Sequence, residues 1–239
     1  MKLILHTEIL GNGEPLLFLH TGLQRGMTDF QFQREYFKDR YQIILPDLRG
    51  HGQSVHDDFS AFFEDSAQDL SETLSHLGVD SAHIAGCSLG ALAGLFFAKR
   101  FPSKVKSLTL SGILSEQPDN WLDMQKEDIA HQAQLLKNEE AIRYFDALHK
   151  SDWRQFLELA KNDDWYPFEV TKDLEGITSP VLIMVGEGNK AETKGTLFYP
   201  SIKEDVHVSI IPFASHLVHS QQPEIYTKIL EAFLNKVHS

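Results

Sequence analysis

Ser81-Ala82-His83-Ile84-Ala85-Gly86-Cys87-Ser88-Leu89-Gly90-Ala91-Leu92-Ala93-Gly94-Leu95 joins a short apolar run, a serine bracketed by glycines, and a run of small helix formers. The centre matches Gly-x-Ser-x-Gly. That pattern is weak alone, but here a strand pattern leads in and a helix pattern leads out, the setting in which such a serine is held on a sharp turn. A turn this tight needs small neighbours so that strand and helix can approach, a need that Gly86 and Gly90 meet. It makes Ser88 the candidate nucleophile. It also puts the Leu89 N–H at a helix N-terminus, where it can bind a developing oxyanion. Cys87 reads as a small buried filler beside it.

Strand and helix patterns alternate outward from this point. Strands are expected over residues 3–10, 16–19, 41–45, 82–85, 105–114, 180–185 and 206–211. Gly11-Asn12-Gly13 marks the first turn. Helices are expected over residues 62–77, where Phe63, Ala67, Leu70, Leu74 and Leu77 recur at helical spacing, and over 89–100 and 223–237. Short apolar strands separated by helices imply an α/β fold, with a mostly parallel central sheet covered by helices on both faces. Residues 116–176 have a different texture, polar and aromatic, and carry Trp121, Trp153 and Trp165. They read as a helical cap inserted into a core made of residues 1–115 and 177–239.

A serine hydroxyl needs a base. Among twelve histidines, His216 stands out by position. It lies in Pro212-Phe213-Ala214-Ser215-His216, between the last strand and the closing helix, where the carboxyl ends of parallel strands gather chemistry. His219 follows at a spacing that a zinc pair could use, but no His-Glu-x-x-His helix is present and no metal is expected. The loop after Leu16-Leu17-Phe18-Leu19-His20 offers Gly22 and Leu23 as second oxyanion donors. His20 is expected to hold that loop by hydrogen bonds.

The 239 residues suit one domain, long enough to bury about three quarters of the unfolded surface. A net charge of −12 argues against nucleic acid and anionic membranes as partners. The lone Cys87 has no partner for an internal disulfide, which favours a reducing compartment. With no signal-peptide core and no stretch near the ~20 apolar residues of a membrane span, a cytoplasmic location is expected. Homo-oligomerisation is left open.

Four segments together resemble the α/β-hydrolase family. His20-Thr21-Gly22 is similar to its His-Gly oxyanion segment, with Thr21 in place of the usual glycine. Asp47-Leu48-Arg49-Gly50-His51-Gly52-Gln53-Ser54 is similar to its Asp-x-Arg-Gly-x-Gly-x-Ser loop. The turn at residues 86–90 and Ala214-Ser215-His216 complete the set in the correct order. The resemblance implies a cofactor-free serine hydrolase acting on a small molecule (an ester, thioester, lactone or related acyl bond), with residues 116–176 shaping the pocket. Those tryptophans then either line a cavity or pack the cap's own core. Asp47 and Arg49 are expected to pair structurally within their loop.

One position departs from the family pattern. The acid of the triad usually follows as Gly-x-x-Asp, and the matching register here is Gly186-Glu187-Gly188-Asn189. Asn189 takes the position by register, Glu187 by charge. Glu192 reaches only if the loop is rearranged, and Glu116 or Asp119 could serve from another side. Asparagine can orient an imidazole but supplies no charge. This opens an alternative, a non-catalytic ligand-binding or signalling protein on the same fold.

Overall fold

The computed structural model describes residues 3–162 and 164–237. Seven strands form one sheet: β1 (Thr7–Leu10), β2 (Glu14–Leu19), β3 (Tyr41–Pro46), β4 (Ala82–Cys87), β5 (Val105–Ser111), β6 (Val181–Gly186) and β7 (Val206–Ile211). Their spatial order is β1-β3-β2-β4-β5-β6-β7. Only β1 runs antiparallel to its neighbour, and all other pairs are parallel. The expected α/β class and covered parallel sheet are therefore what the chain adopts.

Burial follows position in the sheet. Central β4 and β6 are buried along their whole length, whereas edge strand β7 is exposed at most of its inner positions. The helices are α1 (Gln31–Phe37), α2 (Phe62–His76), α3 (Leu89–Arg100), α4 (Trp121–Leu135), α5 (Glu139–Leu148), α6 (Arg154–Leu159), α7 (Phe168–Thr171), α8 (Lys190–Thr193), α9 (Gly195–Ile202), α10 (Val218–Gln221) and α11 (Pro223–Val237). Helix α3 is buried almost all round, because it lies between the sheet and α2. Helices α2 and α11 each bury one stripe, as amphipathic surface helices do. Two hydrophobic cores result. One holds α2 and α3 against the sheet; the other holds α1 and α11 against the opposite face.

The first and fifth strands are shorter than their apolar runs predict. Residues 3–6 do not join the sheet, because the N–H groups of Leu3 and Leu5 are taken by Asp69 Oδ1 and Thr73 Oγ1 of α2. Strand β5 stops at Ser111 because Gly112 adopts φ +67°. Helices α1, α8 and α9 had no clear periodic signal; α8 has only four residues, and α9 contains Pro200. The long stretch between β5 and β6 carries α4 to α7, and no residue of α5 is buried. None of the helices among the described residues is long and apolar enough to cross a membrane.

Candidate active site

The site lies at the carboxyl ends of β2, β4, β5, β6 and β7, where each chain segment leaves the sheet. Ser88 follows β4 with φ +53° and ψ −119°, a left-handed backbone that a non-glycine residue adopts only under strain. Its N–H donates to Ser111 O at 2.9 Å, tying the turn to β5. The flanking glycines are sterically required. A Cβ on Gly86 would stand 2.5 Å from Gly90 O, and one on Gly90 would stand 2.1 Å from Leu19 O. Leu89 is the first residue of α3, so its N–H belongs to the unpaired donors at the start of that helix.

His216 comes from the loop after β7. A Cβ placed on Gly112 would lie 3.0 Å from both His216 Cε1 and Ser88 N. Those two atoms are therefore at most 6.0 Å apart, across the bare Gly112. Ser88 and His216 also line the same two cavities. The chain thus brings together a serine and a histidine more than a hundred residues apart.

The partner of His216 is Glu192. The imidazole Nδ1–H donates to Glu192 Oε1 at 2.6 Å. Neither Asn189 nor Glu187, the two residues favoured from sequence, makes this contact. Asn189 is the N-cap of α8. Its Oδ1 accepts from the Glu192 N–H at 3.2 Å, and its Nδ2–H donates to Glu192 Oε1 at 2.6 Å. Glu187 turns the other way and accepts from the Phe213 N–H at 2.8 Å. The physical reason is a helix start. A short helix opens at residue 190, so the chain curls back and the third helical residue, not the N-cap, meets the histidine. The sequence did carry a signal: Asn-x-x-Glu is the spacing of a capping box.

Electrostatics follow from this pairing. Burial pushes the Glu192 carboxyl above its ordinary value, against the pull of the imidazole. Burial also disfavours the His216 imidazolium, but the Glu192 hydrogen bond and charge, with Asp128 adding to them, outweigh it and raise its pKa. A carboxylate that accepts from Nδ1–H fixes the tautomer and leaves Nε2 as the basic atom.

The loop after β2 is held from behind. Asp29 Oδ2 accepts from both the N–H and the hydroxyl of Thr21, at 2.8 and 2.9 Å. Asp29 Oδ1 accepts from His219 Nε2–H at 2.7 Å. This explains how Thr21 is accommodated where a glycine is usual, and what His219 does. His20 accepts the Leu48 N–H at Nε2 and donates from Nδ1 to Thr21 O, so it holds the loop as expected. Leu23 adopts φ +62°, and its carbonyl accepts from His149 Nε2–H at 3.0 Å. Gly22 and Leu23 line the outer cavity with Ser88 and His216.

Asp47 and Arg49 are structural, but they do not pair with each other. Asp47 accepts the N–H groups of Gly26 and Gln53, and buried Arg49 makes a two-pronged bond to Asp69 of α2. The tryptophans divide. Trp121 and Trp165 line the inner cavity beside Ser88, whereas Trp153 is buried against Phe145 and donates to Asp146. The inner cavity measures about 390 Å³ and the outer about 530 Å³. A larger hollow of about 660 Å³, lined by residues of α1 and by His219, Ser220 and Pro223, does not include Ser88.

Known proteins share the fold that carries these residues. The 2-(acetamidomethylene)succinate hydrolase of Mesorhizobium japonicum is 24% identical over 98% of this chain and 92% of its own length. A putative carbamate hydrolase RutD of Azorhizobium caulinodans is 36% identical over 106 residues, 44% of this chain and 40% of the relative. Among solved structures, NosK from Streptomyces actuosus superposes with a TM-score of 0.81 at 25% identity, covering 95% of this chain and 99% of NosK. A model of the α/β hydrolase fold matches residues 14–148, more than half of the sequence. With its elbow, its sheet order and this match, the chain belongs to the α/β hydrolase fold family.

Proposed function

We propose that this protein is a serine hydrolase that cleaves a small ester, thioester, lactone or related acyl bond. The observation that carries the reading is Ser88, held at positive φ on the strand-to-helix turn and set beside an imidazole whose distal nitrogen is bonded to Glu192. His216 Nε2 takes the Ser88 hydroxyl proton as Oγ bonds to the acyl carbon. The tetrahedral oxyanion is met by the N–H of Leu89 and by that of Gly22 or Leu23. As it collapses, the bond to the leaving group breaks, and Nε2 returns the proton to that group. Water then repeats the sequence on the acyl-serine, releasing the acid and restoring Ser88. The family relationship and the hydrolase names of the relatives support the same reaction class.

Residues 116–176 act in this reading as a cap that shapes the pocket, since His131, Gln132, Trp121 and Trp165 all line the cavities over Ser88. The non-catalytic alternative rested on an apparently missing acid, and Glu192 removes its main support. The test is labelling by a fluorophosphonate together with hydrolysis of p-nitrophenyl esters of graded chain length. Rapid labelling that is lost in Ser88→Ala supports the proposal. A folded wild-type protein that neither labels nor turns over any ester would sink it.

A further inference from the structure

The inner cavity has an unusual charge balance. Trp121, Trp165 and Tyr166 line it with aromatic surface, and Asp128 of α4 adds a carboxylate to the same wall set as Ser88. Among the described residues, no lysine or arginine lines either cavity over Ser88. Asp128 makes no hydrogen bond or ion pair among the described residues. The charged and titratable groups acting on it are His131 and Glu127 on its own helix and His216 across the cavity. Glu192 also lines this cavity and adds a second carboxylate to it. Asp128 stands exposed at the cavity's rim, yet the desolvation imposed by its surroundings lifts its carboxyl above the ordinary range, against the pull of both histidines.

A carboxylate with no lysine or arginine beside it, in a cavity it shares with aromatic rings, makes a poor site for an anion. Like charge repels it, only the two titratable histidines stand near to offset it, and the ring faces are themselves electronegative. The same surroundings favour an organic cation twice over, by ion pairing and by cation–π attraction. A cavity of about 390 Å³ also lies in the size range of small-molecule sites.

We infer that the inner cavity selects acyl substrates carrying an organic ammonium group, with Asp128 as counter-ion and Trp121, Trp165 and Tyr166 as the aromatic walls. This specificity rests on the hydrolase reading above. It assigns Asp128 to substrate binding, not to the bond-breaking steps.

The test uses three p-nitrophenyl esters of similar shape: 4-(trimethylammonio)butyrate, its neutral tert-butyl counterpart 5,5-dimethylhexanoate, and the monoester of adipate. The quaternary nitrogen keeps its charge at every pH, so titration does not enter. Wild-type kcat/KM should favour the cationic ester over the neutral one on the order of tenfold, with the anionic ester slowest. Asp128→Asn should bring the cationic-to-neutral ratio close to one. Using a ratio cancels any effect of the substitution on His216. A parallel measurement on Ser88→Ala reads binding alone, through quenching of tryptophan fluorescence by the corresponding non-hydrolysed esters. Equal affinity for cationic and neutral esters there, or a wild-type preference untouched by Asp128→Asn, overturns the inference. Loss of labelling and of all turnover, with the cationic preference in binding kept, would instead overturn the hydrolase reading and leave the ammonium site standing.

Discussion

The two walls of the active site are built differently. The sheet wall is over-determined: Thr21 is bonded through both backbone and side chain to Asp29, His20 is bonded at both nitrogens, and the Ser88 N–H is tied to Ser111. The helical wall is sparse. Helix α4 buries only Trp121 and Gln125, and most of its other side chains, Leu122 included, stand exposed. In the proposed reaction, the atoms that move electrons and protons sit on the rigid wall, where small displacements are costly. The atoms proposed to judge substrate shape and charge sit on the wall that can change with little loss of stability.

The largest expected break in this contrast comes from the nucleophile and base. Ser88→Ala or His216→Ala should lower kcat for p-nitrophenyl esters roughly 10⁴- to 10⁶-fold with an unchanged circular-dichroism spectrum. Next comes the acid. Glu192→Gln keeps the shape but removes the charge and should reduce kcat by about 10²- to 10⁴-fold. Glu187→Gln, whose carboxylate faces Phe213 N–H, should change kcat less than about threefold. Equal losses in both variants would mean that the Glu192 contact is not the working one.

How far was this legible beforehand? The elbow, the histidine loop and the sheet class follow from local patterns, because close glycines and apolar strands leave short-range marks. The carboxylate that meets His216 did not follow, because its position depends on a four-residue helix too short to show periodicity. Register counting from Gly186 stops at Asn189, whereas the chain turns there and delivers Glu192. Asp29 was invisible for another reason. Its partners Thr21 and His219 are 8 and 190 residues away, and nothing local marks them.

Asp29 gives a sharper test of the rigid wall. Asp29→Asn replaces an anion that serves four donors, so the Thr21 segment should loosen and kcat should fall about tenfold to a hundredfold. KM should change less than kcat, because the aromatic lining of the inner cavity is untouched. A fall confined to KM would instead place Asp29 in substrate binding.

The pH profile separates the walls more gently. The base works when His216 is neutral, and Glu192 raises its pKa, so activity should rise with pH through a midpoint above the ordinary histidine value of about 6.5. Glu192→Gln should move that midpoint down, measured as kcat/KM of the residual activity. On the helical wall the smallest effect is expected. Leu122→Ser, at an exposed position of α4, should alter unfolding free energy by no more than about 0.5 kcal/mol in urea titrations.

Cys87 gives the molecule a built-in reporter. It is the sole sulfhydryl in the chain, is fully enclosed, and has its Sγ 3.7 Å from the His216 carbonyl oxygen. Burial drives its ionisation far up the pH scale, so in the closed fold it is both shielded and unreactive. A disulfide-exchange dye therefore counts only the rare openings that part β4 from the His216 loop. Its reaction rate measures how often the catalytic centre comes undone, without any substrate being present.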